Sequence, residues 1–273
     1  MSIDLSQLTL PSVSPEALKV LDIIAAPEPS IKLLEKTILG DPTLASTLIK
    51  YANSPLYRRA NQVSNVPAAI RILGLKNIRS AVAMATMRAM ASPESTTSRA
   101  ILNHNLDIAL LSKLIARKTF PDLSDDLEFL GLIHDMGMLI LNQSFPDEYQ
   151  QLFAHAISEK IAITALEEKK FGLSHDIIMA AISERFRLPE CYVDTLASYH
   201  SHPPVTELEA PIDHYLCILD LAHLLWPQIV SEEACFTEEI IDTQEKLSIL
   251  LDLNEAQLQE IIEEAIAKKA SAE

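Results

Sequence analysis

GLIHDMGMLIL, residues 131–141, decides how this chain is read: His134 and Asp135 are either part of a metal site or two polar residues in an otherwise apolar helix. Burying an adjacent His-Asp pair among Leu, Ile and Met is costly unless both side chains find partners. The stretch therefore predicts a buried helix whose polar pair meets residues from elsewhere in the chain.

The surrounding pattern is helical. Apolar residues recur at three and four in EALKVLDIIA, SIKLLEKTIL, LASTLIKYA, AAIRILGLKNI and LDIALLSKLIA, and only five glycines occur in 273 residues. Asp41-Pro42 reads as an N-cap followed by proline at the first helical position, and Ser30, Ser174, Thr237 and Asn254 stand before other helices. Asn254 has Gln257 three residues on, a variant of the capping box. No alternating strand pattern interrupts this, so the expectation is an all-α, multi-helix bundle. ASPESTTS, residues 91–98, marks the boundary between an N-terminal helical subdomain, residues 1–95, and a longer C-terminal one, residues 96–273.

Apolar residues make up 48% of the chain, ample for a large core. Three cysteines, Cys191, Cys217 and Cys235, show no close ligand spacing and point to a reducing compartment without a disulfide framework. No basic-apolar signal segment is present, and apolar runs such as AVAMATM fall far short of a bilayer span, so the expectation is a soluble cytoplasmic protein with no membrane partner. The net charge of −16 argues against a general nucleic-acid binder.

The charge is unevenly spread. Lys50, Arg58, Arg59, Arg71, Lys76, Arg79, Arg88 and Arg99 share their stretch with one acid, Glu94, whereas Glu232 to Glu264 holds eleven acids and one lysine. Two solvated faces of opposite sign explain this, and so does an anion-binding or partner-docking surface in the N-terminal half. Sequence-specific DNA binding ranks last, because no helix-turn-helix spacing is evident.

All eight histidines follow the boundary: His104, His134, His155, His175, His200, His202, His214 and His223. Neutral imidazoles and carboxylates suit Zn, Fe or Mn, and four helices of one bundle bring His104, His134-Asp135, His175 and His200 together if their apolar faces share a core. Adjacent helical residues diverge by about 100°, so His134 and Asp135 share a metal only at its edge. The competing reading of each histidine is a core imidazole hydrogen-bonded to a carbonyl. His155, His202 and His214 lie in polar or loop-like surroundings and read as surface residues.

GLIHDMGMLIL resembles the Gly-Leu-Leu-His-Asp-Ile-Gly-Lys-Leu motif of HD-domain metal-dependent phosphohydrolases, a superfamily that includes the HD-GYP enzymes. LPSVSPEALKVLDII, ILGDPTLASTLIKYANSPLY, VSNVPAAIRILGLKNIRS and GLSHDIIMAAISERFRLPECYVDTLASYHSHP resemble the HDOD subfamily, covering the chain from about Leu10 onward. The resemblance implies an all-α fold with an HD-like C-terminal subdomain, a place in bacterial signal transduction, and descent from enzymes that hydrolyse phosphate esters.

Residue by residue, it implies metal-ligand positions at His104, His134, Asp135, His175 and His200. Tyr199 stands where the first of an adjacent His pair is expected, His223 where a closing Asp is expected, and Met138 where a Lys is expected. Tyr is a poor ligand at neutral pH, and the other two changes remove an oxygen donor and a cation suited to phosphate. These departures favour a signalling module that binds a protein partner or a nucleotide second messenger, with the hydrolase site degraded. The alternative is a hydrolase in which those residues and His223 hold Fe, Zn or Mn. Under the first reading Arg58 and Arg59, in YANSPLYRRANQVSNVP, supply the partner- or anion-binding surface.

Overall fold

The computed structural model describes residues 3–57, 62–92, 94–230 and 237–270. Arg58, Arg59 and Cys235 lie outside the described residues. In chain order the helices are α1 Pro15–Ala25, α2 Ile31–Leu39, α3 Pro42–Ala52, α4 Val66–Met90, α5 Thr96–Thr119, α6 Ser124–Ile133 and α7 Met136–Ser144. They continue with α8 Pro146–Glu159, α9 Ile163–Phe171, α10 His175–Ile182, α11 Glu190–Ser198, α12 Pro211–Val230, α13 Glu238–Leu250 and α14 Glu255–Ala270. The fold is all-α.

Local chemistry sets most of the helix starts. Asp41 Oδ1 accepts from the Thr43 and Leu44 amides, both at 3.0 Å, while Pro42 needs no amide partner. Ser30 and Thr237 cap α2 and α13, and Asn254 exchanges two hydrogen bonds with Gln257. Ser174 departs from expectation: its hydroxyl donates to Asp176 rather than accepting from α10. The first amide of α10, on His175, instead donates to the buried Glu167 carboxylate of α9 at 2.9 Å.

AAIRILGLKNI is not one uninterrupted helix. Gly74 has φ 72° and ψ 168°, splitting α4 into two helical arms. An L side chain rarely adopts that backbone conformation, although a Cβ there would meet nothing within 4 Å. Gly74→Ala is therefore expected to cost about 2 kcal/mol through the backbone alone, lowering Tm by roughly 4–8 °C in a thermal melt.

α5 is the central strut, with Ile108 through Ala116 buried in one continuous run. α6, α7, α12 and α14 pack around it, and α4 joins the group through α6 and α7. Lys118 on α5 pairs with Glu260 on α14 at 2.7 Å, so the acidic C-terminal helix is docked against α5. Between the two halves lies a buried polar group. Glu128 of α6 accepts from Tyr51 Oη of α3 at 2.5 Å and from Tyr57, and it pairs with Lys113 of α5. Lys113 also reaches Asp125 at 3.4 Å. This network and the apolar contacts around it hold α5 and α6 in place, which positions everything that follows.

Candidate metal centre

GLIHDMGMLIL does not form the single helix its apolar pattern suggests. α6 ends at Ile133, Asp135 sits at φ −102° and ψ 17°, and α7 restarts at Met136. The backbone departs from helical values at Asp135, which alters the 100° divergence that a continuous helix imposes on neighbours. His134 and Asp135 consequently point at one place, with His134 Nε2 3.2 Å from Asp135 Oδ2. Four further elements deliver side chains there: His104 from α5, His175 from the start of α10, His200 from just beyond α11, and His223 from α12.

Asp135 stands between two sets of imidazoles. Its Oδ1 lies 3.1 Å from His175 Nε2 and 3.4 Å from His200 Nε2, and those two nitrogens are 2.9 Å apart. Its Oδ2 faces His134 Nε2 and, at 3.6 Å, His104 Nε2, while His223 Nε2 lies 3.2 Å from that of His134. Ligand atoms about 2.0–2.1 Å from a shared cation are separated by roughly 2.8–3.4 Å in octahedral or tetrahedral arrangements. Asp135–His175–His200 has separations close to this, and in His104–His134–His223 the ligand atoms lie within 4.8 Å of one another.

The outer ring nitrogens set which inner ones are free. Glu167 Oε2 accepts from His175 Nδ1 at 2.7 Å, and Gly131 O accepts from His134 Nδ1 at 2.8 Å. His223 Nδ1 lies against Leu219 O at 2.9 Å and Tyr199 Oη at 2.6 Å. Buried His104 Nδ1 has no hydrogen-bond partner among the described residues. Each inward Nε2 is thus oriented toward Asp135 or another imidazole. Neutral rings arranged in this way direct lone pairs at one another, a repulsion that a proton or metal cation relieves.

Electrostatics agree with the geometry. Burial pushes the Asp135 carboxyl up, but His134 and His175 outweigh it and hold the group well below the usual carboxylate range. Burial pushes His175 down, yet Glu167 and Asp135 reverse this and raise it well above an ordinary imidazole. For His104 burial dominates over the attraction of Asp135 and brings the ring to about 4. Burial, with His134 and His104 adding to it, also holds His223 well below its ordinary value.

Of the three histidines expected at the surface, only His155 is exposed. His202 is half-buried beside Asp220, 3.4 Å away, and His214 is half-buried with its ring edge-on to Phe120. His202 is covered because its loop lies against Asp220 of α12, and His214 because it falls in the first turn of α12, against Phe120 at the end of α5. Tyr199 is buried and occupied by His223, and Met138 is buried in α7.

Glu167 is the principal residue that motif reading passed over. It is fully buried, accepts from Tyr149 Oη at 2.5 Å, and takes both the amide and ring Nδ1 of His175. Its EEKK surroundings look solvated, but it lies four residues from both Ile163 and Phe171, on the apolar side of α9. Carboxylates behind a ligating imidazole typically affect metal affinity by about 10- to 100-fold. Glu167→Gln is expected to weaken metal binding within that range, read by isothermal titration with Zn²⁺, while Tyr149 retains an acceptor.

The chain belongs to the HDOD family, whose domain model matches residues 10–203. An uncharacterized protein of Treponema pallidum (strain Nichols) is 20% identical over 204 residues, which is 74% of this chain and 40% of that relative's own length. A Marinobacter aquaeolei VT8 protein provisionally assigned to signal transduction shares the fold with a TM-score of 0.71 and 21% identity, over 96% of this chain and 58% of that one. A Shewanella amazonensis SB2B protein provisionally assigned as a phosphohydrolase aligns with a TM-score of 0.72 and 16% identity, over 97% and 95% of the two chains. At these identities the structural matches establish the fold alone. Among the described residues, no helix is long and apolar enough to cross a membrane.

Proposed function

We propose that this HDOD protein is a cytoplasmic signalling module whose HD pocket holds a divalent transition metal as a ligand-binding centre, without the phosphohydrolase activity of the wider superfamily. The observation that carries the metal reading is the triangle of Asp135 Oδ1, His175 Nε2 and His200 Nε2, backed by the Glu167–His175 hydrogen bond. Imidazole and carboxylate donors suit Zn, Fe or Mn. His104, His134 and His223 offer a second set of donors across Asp135. When bound, such a metal supplies Lewis acidity and activates water.

What argues against turnover is the lack of charge stabilisation around these donors. Lys269 is the one Lys or Arg among the described residues lining the cavity onto which Asp135 opens, and its Nζ is held by Asp107 Oδ2 at 2.6 Å. Met138 provides no charge, and the Tyr199 hydroxyl is engaged by His223. Among the described residues, a developing phosphoryl charge therefore finds no Lys or Arg beside the metal ligands that is not already held by a carboxylate. Signalling output then depends on a protein partner or a small ligand. HDOD membership and the Marinobacter relative support that direction.

One observation favours hydrolysis as a second reading: Asp135 has an oxygen toward each donor group, as a carboxylate shared between two metals would. The readings separate in one experiment. Protein loaded with Mn²⁺ or Fe²⁺ is assayed for metal content and for cleavage of bis(p-nitrophenyl) phosphate and cyclic di-GMP. Bound metal with cleavage no faster than the metal ion alone is the expected result. Cleavage that disappears in His134→Ala would establish the hydrolase.

A further inference from the structure

We infer that the cavity beside the metal centre is a binding site for a small aliphatic carboxylate, with its acid head at the donor groups and its chain along α8 and the start of α9. This inference rests on the metal reading above, because Asp135 without a cation repels an acid head. The cavity has a volume of about 570 Å³, and His104, Asp135, His175 and His200 of the donor groups are among its lining. Such a size, with a few convergent polar groups in an apolar wall, is typical of a small-molecule site.

The walls select against polyanions. Phe153, Ile157, Ile161 and Ile163 from α8 and the start of α9 line it, as do Trp226 and Val230 from α12. Lys269 is engaged with Asp107, which also accepts from Trp226 Nε1 at 3.1 Å. A nucleotide entering here places phosphate oxygens and base edges against aliphatic carbon, whereas an alkyl chain loses nothing by leaving water. Ile157, Ile161 and Val230 are 65%, 41% and 46% exposed, so apolar surface remains for a ligand to cover. Among the described residues of the lining, charge without a partner of opposite sign is confined to the donor groups, because Lys269 and Asp107 pair with each other. That asymmetry matches a molecule with one acidic head and an apolar body.

Trp226 is the only tryptophan in the chain, and its ring stands edge-on to His104 with centroids 4.5 Å apart. Its fluorescence therefore reports on the cavity directly. Zinc-loaded protein, with zinc content measured separately, is titrated with butanoate, octanoate and decanoate while Trp226 emission is followed. A saturable change is expected, with decanoate binding roughly tenfold more tightly than octanoate from the burial of two methylenes. 1-Decanol is expected to bind at least tenfold more weakly than decanoate, and Ile157→Glu, on the exposed rim, to weaken decanoate at least tenfold with zinc content unchanged. Zinc-loaded protein that shows no chain-length dependence, or that binds GMP or cyclic di-GMP more tightly than decanoate, overturns the cavity assignment and leaves the metal reading intact. Protein that takes up no zinc overturns both.

Discussion

Gly137→Ala is expected to lower Tm by roughly 6–12 °C and weaken metal binding at least tenfold. A Cβ at this position falls 2.1 Å from the carbonyl oxygen of His175 and 2.8 Å from its carbonyl carbon. These are backbone atoms, so no rotamer change relieves the clash, and α7 must separate from α10. Overpacking against backbone costs about 3 kcal/mol, the upper part of the usual range, and each kcal/mol lowers Tm by roughly 2–4 °C in a chain of this size. The separation also draws His175 away from Asp135, which explains why the motif carries a glycine two residues after Asp135. Met138→Leu, the neighbouring volume-conserving change, is expected to cost under about 1.5 kcal/mol. Differential scanning calorimetry of the two variants checks the contrast, and equal melts would contradict it.

The second large effect lies away from the histidines. Lys113→Met strips the cation from Glu128, a fully buried carboxylate whose remaining partners among the described residues are the Tyr51 and Tyr57 hydroxyls. Burial, reinforced by Glu128, holds both tyrosines well above their ordinary range, so they remain neutral donors and cannot replace the lysine's charge. Breaking a buried pair from one side costs about 3–5 kcal/mol, which lowers Tm by roughly 6–20 °C. Adding Glu128→Gln to Lys113→Met removes the stranded charge and is expected to restore more than half of the loss. Urea denaturation of the single and double variants closes the cycle. Additive losses would show that the residues act independently.

Different parts of the molecule were legible in the sequence to different degrees, and for physical reasons. Asp41-Pro42 and Asn254–Gln257 announce helices because their hydrogen bonds close within three residues. The histidines were legible through the spacing of motifs that a family resemblance identified, although periodicity alone could not say which imidazoles meet. The His134-Asp135 junction was hidden because its flanks are apolar on both sides of the break. Glu167 was masked by charged neighbours although its helical period placed it inward. The Gly74 break left no trace in the alternation of apolar residues, since it depends on a backbone angle. The network around Glu128 was invisible for another reason: Tyr51 and Glu128 are 77 residues apart, and no local pattern pairs them.

The central claim is that imidazoles from five parts of the chain surround Asp135 to hold a metal cation. Anomalous diffraction from crystals grown after Zn²⁺ loading, collected on both sides of the zinc absorption edge, tests it most directly. A zinc-edge peak bonded to Asp135, His175 and His200 is expected, absent from Asp135→Asn crystals of the same fold. A featureless anomalous map around an ordered Asp135, or a peak confined to the protein surface, would contradict it.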